Sequence, residues 1–309
     1  MCIFSQPVIS VKNTRIFARL SGQGSQLLAY QMHYESRDPN AMILPIPVKQ
    51  PANVDSLRFI ALDDYDDFFE DLDLGFPFHQ QLSIGCSAND LLLSENRLEV
   101  FEVGSYIASF VPTLTDFRRL DPQFRLPEET WASIPKYEGF GFAVFQLVSG
   151  AKKPHPMAFE YKTTWTDLYF PTMHIHDGEV KATEQFDHVL YLQHAGFDSS
   201  VYGYRNCDLE DSVTHWVRSQ RTASYVCDMN RAAGLVAGKL LIHRKLLRGE
   251  RPNNDIVVKA WGDPLKPTFN FRYLSTYAPW LAMAFATLAW FFHRRSAVKK
   301  KMTELIDCG

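Results

Sequence analysis

The sequence is poor in cysteine, and its cysteines do not have the spacing of a metal or redox motif. Five cysteines are scattered over 309 residues without a CxxC pair. Zinc frameworks and dense disulfide scaffolds both need closely spaced cysteines, so both classes are excluded. A phosphate loop, a GxSxG nucleophile elbow and an HExxH zinc motif are also absent from the sequence. We therefore predict that the protein needs no cofactor.

The chain has no strong excess of charge of either sign. Its formal net charge is −3; residues 293–309 hold five basic and two acidic side chains, or +3, which leaves −6 for residues 1–292. A mildly acidic body argues against nucleic acid as a partner. The first ten residues, MCIFSQPVIS, lack the basic start and the apolar core of a signal peptide.

One long stretch lacks charge altogether. Residues 273–292 are twenty consecutive uncharged residues, and as a helix they would rise about 30 Å, the thickness of a bilayer core. Apolar residues surround this helix on all sides. The stretch predicts a single transmembrane helix within residues 271–293. The residues expected at its two membrane interfaces are Tyr273, Tyr277, Trp280, Trp290, Arg294 and Arg295.

The membrane helix would determine the location of the protein. The basic tail, residues 294–309, predicts a cytoplasmic C-terminus and contact with membrane lipid. That orientation favours an extracytoplasmic body, whereas a tail-anchored arrangement would keep the body in the cytoplasm. A buried helix in the core of a protein without a membrane span is the other reading of the same stretch.

Residues 1–270 read as one β-rich globular domain. Leu28, Tyr30, Met32 and Tyr34 alternate, as on a half-buried strand. Four further strand candidates follow at residues 139–148, 156–161, 167–175 and 186–193, a spacing typical of an antiparallel sandwich. The predicted fold class is α+β: a β-rich, antiparallel, sandwich-like body with a few helices, followed by the transmembrane helix.

Five local features give testable expectations. Asn13-Thr14 predicts a turn, and Pro45 and Pro47 predict a sheet edge or a bulge because proline removes a ladder donor. Residues 55–73 have apolar residues at helical spacing, and residues 126–134 and 208–220 have acids at their start, with Pro127 in the first turn of the former, so we expect helices there.

Several of these segments, in their order, resemble a family of uncharacterised bacterial envelope proteins known as a domain of unknown function. The motifs that carry the resemblance are ILPIPV (43–48), VGSY (103–106), LPEE (126–129), GFGFAVFQL (139–147) and HPMAFEY (155–161). The resemblance implies a β-rich body and a single membrane helix near the C-terminus, and it implies no activity. The chain departs from the family at its start, where an export signal and glycines are expected and MCIFS stands.

Cys2 is the candidate nucleophile. Removal of Met1 would leave an N-terminal cysteine whose α-amino group can act as the base for its thiol. Choloylglycine-type hydrolases also open with Met-Cys and have an arginine on the following strand, and Arg19 lies at a comparable distance. The Asn-x-Asp that follows this arginine in those enzymes is absent. An inert, lipidated or paired cysteine is the alternative.

His174 and His176 are the candidate metal ligands. On a strand, residues i and i+2 share a face, so both imidazoles would be able to bind one metal ion. Two ligands do not complete a site, and the alternative is a pair of core or surface histidines. A second cluster, seven carboxylates between Asp63 and Asp73, lacks the spacing of a calcium loop. A solvated helix face, or a docking face for a basic partner, is the expectation for that run.

Two function classes follow from the sequence. The first is a non-catalytic, membrane-anchored interaction or scaffold protein, an accessory subunit that binds other membrane-protein subunits. The second is an N-terminal-nucleophile cysteine amidohydrolase that uses Cys2 and Arg19. The sequence favours the first, because the anchor and a large body are present and a convergent catalytic set is not.

Overall fold

The computed structural model describes residues 3–76, 100–103, 106–201, 210–260 and 262–266, together with five single residues near the C-terminus. The chain divides into two compact units, Met1–Pro267 and Thr268–Gly309. The first unit holds all of the strands named below. In the second unit, the described residues are helical; they are Met283, Thr287, Ala289, Trp290 and His293.

Strands dominate the first unit, and its helices are short. The strands are β1 (Ile3–Phe4), β2 (Ser10–Leu20), β3 (Ser25–Ser36), β4 (Asn40–Ile46), β5 (Leu57–Ile60), β6 (Val100–Val103), β7 (Tyr106–Val111), β8 (Gly141–Leu147), β9 (Gly150–Lys152), β10 (Met157–Lys162), β11 (Leu168–Phe170), β12 (Thr183–Gln193), β13 (Val217–Thr222), β14 (Leu241–Pro252) and β15 (Ile256–Val258). The α-helices are α1 (Phe68–Leu74), α2 (Glu128–Ala132) and α3 (Ala195–Ser200). Short 3-10 helices lie at Val54–Ser56, Leu114–Arg119, Pro122–Phe124, Pro135–Tyr137 and Ala223–Tyr225.

The strands form three sheets. The five-stranded sheet has the order β1-β4-β8-β7-β6. The eight-stranded sheet has the order β13-β14-β12-β2-β3-β10-β5, with β9 paired to β3 outside this path. The two-stranded sheet consists of β11 and β15. The β-rich part of the predicted fold is therefore present.

The two large sheets pack face to face around the main core. Leu28, Tyr30 and Met32 of β3 point into this core from the eight-stranded sheet, and Leu44 of β4 and Phe145 of β8 point into it from the five-stranded sheet. The alternation predicted for β3 is that of its inner face, but the strand is not half-buried, because Leu27 and Ala29 on its other face are buried as well. Facing apolar surfaces of this kind are the main source of stability in a sandwich.

Each large sheet is also covered on its outer face. Helix α1 packs Phe68 and Phe69 against Phe17 and Tyr191 on the outer face of the eight-stranded sheet. The short helices between β7 and β8 cover the outer face of the five-stranded sheet. Because both faces of β4 are covered, every residue from Asn40 to Ile46 is buried and the strand reads as a continuous apolar run.

The centre of the eight-stranded sheet departs from the predicted antiparallel arrangement. β12 pairs in parallel with β2, so that His188 lies opposite Thr14 and Gln193 lies opposite Arg19. The turn predicted at Asn13-Thr14 is a β-bulge within β2, because the register with β3 shifts between Lys12 and Arg15. Asn13 takes the left-handed conformation with φ 52°, which asparagine tolerates better than most residues.

The absence of a paired strand that the prolines predict is found at Pro45 but not along the whole of β4. β4 lies between β1 and β8, so it is not an edge strand. However, β1 pairs only with Met42 and Ile43, and Pro45 pairs with Phe142 of β8 on the other side. Within the described residues, no strand therefore pairs with Pro45 on the side where a backbone N–H would otherwise point.

Each of two predicted helices contains a strand. Residues 55–73 contain β5 before α1, since a short 3-10 turn capped by Asn53 ends at Leu57 in an extended conformation. In residues 208–220, the carboxylate of Asp211 accepts the backbone N–H groups of Val213 (3.2 Å) and Thr214 (2.9 Å). Such a local turn competes with the hydrogen bonds of a helix, and the chain enters β13 at Val217 instead.

The predicted transmembrane helix is wrong. Among the residues that the structure describes, no helix is long and apolar enough to cross a membrane. The predictions of a single-pass membrane protein and of a membrane location are corrected with it. Most of the stretch 273–292 and the whole tail 294–309 lie outside the described residues.

Candidate binding surface

The structure does not bring Cys2 and Arg19 together in a described site. Cys2 lies outside the described residues, whereas Arg19 is buried at the end of β2. Its guanidinium donates to the carbonyl oxygens of Gly234 (2.7 Å) and Leu235 (3.0 Å), and burial lowers its pKa. Arg19 therefore links the loop 226–236 to β2 of the eight-stranded sheet by two hydrogen bonds. The hydrolase stays a prediction that rests on Cys2 alone.

The two candidate metal ligands lie beside each other, although they follow β11 and are not part of a strand. The rings of His174 and His176 lie nearly parallel with centroids 5.3 Å apart, and the rings of His174 and His188 lie nearly parallel with centroids 5.1 Å apart. The Nε2 atoms of His174 and His188 are 3.4 Å apart. Phe186 stacks on His174 at 4.3 Å and lies 4.9 Å from His188, and Phe4 meets the ring of His176 edge-on at 5.8 Å. The result is a cluster of three imidazoles among aromatic rings, in which His174 and His188 are fully buried.

The environment of this cluster keeps the imidazoles neutral. Burial lowers the pKa of His176 to about 4, and it holds the pKa values of His174 and His188 well below the ordinary range. Within the described part of the chain, no group of three or more His, Cys, Asp or Glu side chains is arranged to hold a metal ion. The metal role of His174 and His176 stays a prediction without a third ligand.

The acidic run divides into a paired half and a solvated half. Glu70 of α1 makes ion pairs with Arg15 (2.8 Å) and Lys153 (3.0 Å). Asp73 accepts from the Tyr191 hydroxyl (2.8 Å) and from Arg244 (3.0 Å). These contacts fix α1 to the sheet. Asp71 is half-buried and accepts from the Tyr65 hydroxyl (2.6 Å). The other four carboxylates are exposed; they are Asp63, Asp64, Asp66 and Asp67.

Of the residues predicted at the membrane interfaces, only one is described. Trp290 is helical and 60% exposed. The others lie outside the described residues; they are Tyr273, Tyr277, Trp280, Arg294 and Arg295.

An open groove of about 410 Å³ lies in the helical layer over the five-stranded sheet. Trp131 of α2 is in its floor, with its ring 5.1 Å from those of Phe117 and Phe142. The indole N–H of Trp131 is buried and has no hydrogen-bond acceptor within the described residues. The residues that line the groove are Thr113, Leu114, Thr115, Trp131, Ala132, Pro135, Glu138 and Gly139.

The rim of this groove is polar and acidic. Thr113 donates a hydrogen bond to Asp116 (2.7 Å), and its hydroxyl lies 2.8 Å from that of Thr115. Glu138 is exposed at the other end and has no ion-pair partner within the described residues. Gly139 has φ +85°, a conformation that favours glycine, and it turns the chain into β8. The groove thus combines an apolar floor with a polar rim.

The sequence predicts helix α2, one element of this groove, but it does not predict the groove itself. The Leu-Pro-Glu start predicted α2, and α2 does begin directly after Pro127. The three 3-10 helices between β7 and β8 bring Thr113, Trp131 and Glu138 to the same groove. Their relative placement depends on packing between distant segments, which local periodicity does not report.

Comparisons with known proteins identify similar folds only. No family model matches the chain, and no characterised protein matches it in sequence. The chain is similar to a crystal structure of baculovirus P35, with a TM-score of 0.44 and 14% identity over 84% of this chain and 100% of that one. It is also similar to a mutated baculovirus P35 after caspase cleavage, with a TM-score of 0.41 and 14% identity over 81% and 100%. At this level the likeness gives no basis for a function.

Proposed function

We propose that this protein acts by binding other proteins, as an accessory or scaffold subunit, and that the groove over Trp131 receives a side chain of the partner. The observation that carries the proposal is this groove, with its apolar floor and a carboxylate, Glu138, at its rim. Tryptophan is enriched among the residues that dominate binding energy in protein interfaces. An apolar side chain placed over the indole would bury the remaining apolar surface of the groove.

The charge at the rim selects the partner. Glu138 lies beside Pro135 and Gly139, so a basic residue next to the apolar side chain would face its carboxylate. Opposite charges across an interface increase the rate of association and fix its register. The expected partner segment therefore has an apolar residue flanked by Lys or Arg.

The experiment compares matched variants of the full chain. Ala132 is exposed in the groove and Ala61 is exposed before the acidic run, so A132R and A61R add the same side chain at two different surfaces. The tagged chain is purified from its source under mild conditions, and partners that survive gel filtration are quantified by mass spectrometry. We expect a stoichiometric partner with wild type and A61R, and its loss with A132R.

A charge reversal gives an independent test. E138K removes the carboxylate at the rim, whereas E250K makes the same change at an exposed position on β14, in the eight-stranded sheet. Loss of the partner in E138K alone supports the proposal. Equal recovery of the partner by all four variants, or a wild-type chain that elutes alone, contradicts it.

A further inference from the structure

The floor of the groove over Trp131 holds a hydrogen-bond donor that the described chain does not use. Trp131 is 8% exposed, and its Nε1 atom is buried without an acceptor within the described residues. A buried tryptophan N–H usually has a partner, because a buried donor without one costs free energy. A ligand that brings an acceptor to this N–H should therefore bind more tightly than one that brings apolar atoms alone.

Two neighbouring rings hold the indole in place. The rings of Phe117 and Phe142 each lie 5.1 Å from the ring of Trp131, and they lie 5.0 Å from each other. All three residues are buried. The floor of the groove is therefore aromatic and ordered before any ligand arrives, which reduces the entropy lost on binding.

The local secondary structure limits how a protein segment binds here. None of the described residues that line the groove belongs to a strand, so the groove does not offer the open edge that an added β-strand requires. Its volume of about 410 Å³ is small for a ligand site, so it takes a few side chains and not the apolar face of a helix, whose anchors extend over two turns. An extended, proline-rich segment in an aromatic groove is the remaining common mode.

Such a segment also suits the free donor of Trp131. The backbone of a polyproline II helix makes no internal hydrogen bonds, so each of its carbonyl oxygens is available as an acceptor. Proline has no backbone N–H, so it brings an apolar ring and an acceptor without a second donor that would need a partner.

Three exposed carboxylates lie in the groove or beside it. Glu138 is one of the lining residues. Glu128 and Glu129 lie one helical turn before the lining residue Ala132, so they share its exposed face of α2. Within the described residues, these three carboxylates have no ion-pair partner. A basic residue beside the prolines would find an unpaired carboxylate here.

The same surroundings disfavour an anionic ligand. None of the described lining residues is basic. Lys136 follows the lining residue Pro135, but its ammonium group is paired with the buried carboxylate of Asp255 (3.2 Å). A phosphorylated segment or a free C-terminal carboxylate would therefore meet like charges.

We propose that the groove over Trp131 binds a proline-rich segment of the partner in the polyproline II conformation. A proline ring covers the indole, a backbone carbonyl accepts from its N–H, and an Arg or Lys of the segment faces Glu138. This inference rests on the proposed function and names the chemical class of the partner segment. The segment is preformed, so it loses little conformational entropy when it binds.

Peptide libraries test this class against the full chain. The first library has two prolines separated by two residues, with one arginine at varied positions. In three further libraries, alanine replaces the prolines, glutamate replaces the arginine, or an alanine-rich helix carries the arginine. Titration extends to about 1 mM peptide, at which a ligand with a dissociation constant of that size fills half of the sites. We expect binders in the first library, and a dissociation constant roughly tenfold higher or more in the others.

The indole N–H gives a readout at the site itself. W131F keeps an aromatic ring and removes the N–H, so the indole signal that is missing from its nitrogen-15 spectrum belongs to Trp131. That signal should move downfield when the peptide binds. W131F should raise the dissociation constant roughly three- to tenfold, the effect of one hydrogen bond. W216F makes the same change at a buried tryptophan of the main core and should bind as wild type does.

A charge exchange tests the role of Glu138. E138K should lose the arginine peptides and gain the glutamate peptides, whereas E250K, at an exposed position on β14, should bind as wild type does. A132R should abolish binding, and A61R should not.

The outcomes separate this inference from the proposed function. A first library without binders, or binding that persists in A132R, overturns the inference. Equal binding by the alanine library, or a Trp131 signal that does not move, also overturns it. A partner that copurifies with wild type and is lost with A132R, while the first library does not bind, supports the proposed function and overturns the inference alone. Peptides that bind as expected while no protein copurifies support the ligand class and contradict only the accessory-subunit role.

Discussion

The side chain of Gln26 hydrogen-bonds to the backbone of Tyr169 as a neighbouring strand would. The two bonds, 2.7 and 3.0 Å long, link the eight-stranded sheet to β11. A second glutamine repeats the arrangement at another place: Gln193 accepts from the N–H of Ala237 (2.8 Å) and donates to its carbonyl (3.0 Å). Side-chain amides thus satisfy backbone groups where the ladder of the sheet has ended.

Replacement of Gln26 by leucine should destabilise the fold strongly. Gln26 is 1% exposed, and Q26L leaves the N–H and C=O of Tyr169 buried without partners. Each unsatisfied buried group costs about 1–3 kcal/mol, so we expect the free energy of unfolding to fall by about 2–5 kcal/mol. Urea unfolding measures it. Q123L, at an exposed position, is the control, and an equal change in both variants would contradict the account.

Two carboxylates of the acidic run, the paired Asp73 and the exposed Asp66, allow a matched test of stability. D73N removes the charge that faces Arg244, whose side chain is 4% exposed, and we expect a loss of about 2–3 kcal/mol in unfolding free energy. D66N changes an exposed residue of the same run and should alter stability by less than about 0.5 kcal/mol. Similar losses in the two variants would show that the run acts as one solvated face.

Acidification should destabilise the protein through the stacked histidines. Burial lowers the pKa of His176 from 6.5 to about 4 in the folded chain, so between these values the unfolded chain binds more protons. Stability is therefore full above pH 6.5 and falls as the pH drops toward 4, by up to about 1.4 kcal/mol per pH unit for each such group.

The variant H176F tests this assignment. Phenylalanine keeps ring contacts with Phe4 and His174 and removes the titrating group, so the loss of stability between pH 7 and 5 should become smaller. The measurement is urea unfolding at several pH values. H215N removes an exposed histidine and is the control. An unchanged pH dependence in H176F would contradict a role for His176.

Gly141 is closely packed at the start of β8, against side chains from the neighbouring strand β7 and from the segment after β4. A Cβ atom there would lie 2.8 Å from the ring of Phe110 and 2.9 Å from Cγ2 of Val48. G141A should therefore lose about 1–3 kcal/mol of unfolding free energy through overpacking. At Gly238, the nearest atom is the flexible methyl end of Met229, at 3.1 Å, so G238A should lose less. Thermal unfolding of both variants decides the point.

The sequence predicted most accurately those elements whose patterns follow from local contacts. β3 alternates because one of its faces points to the main core, and α2 begins after Pro127 because proline suits the start of a helix. The helix predicted for residues 208–220 is wrong because the side chain of Asp211 caps a local turn instead. Acids at the start of a segment are typical of both a turn and a helix, so the sequence pattern does not distinguish the two.

Features that depend on distant segments were not predictable in this way. The groove needs Thr113, Trp131 and Glu138 to come together from separate segments, and the link between β3 and β11 needs Gln26 to reach Tyr169. The apolar stretch at residues 273–292 has the composition of a membrane span, and composition alone did not settle its structure. For the groove and for the link between β3 and β11, the missing information is a contact between segments that are distant in the sequence.

The parallel pairing of β2 with β12 affects how the protein is made. Residues Thr14–Arg19 have no neighbour on that side until His188–Gln193 have been synthesised. The hairpin of β2 and β3 is able to form early, but it keeps an exposed edge through most of translation. Contacts between such distant parts of a chain slow folding. Nascent chains that end before β12 are therefore the species most in need of a chaperone.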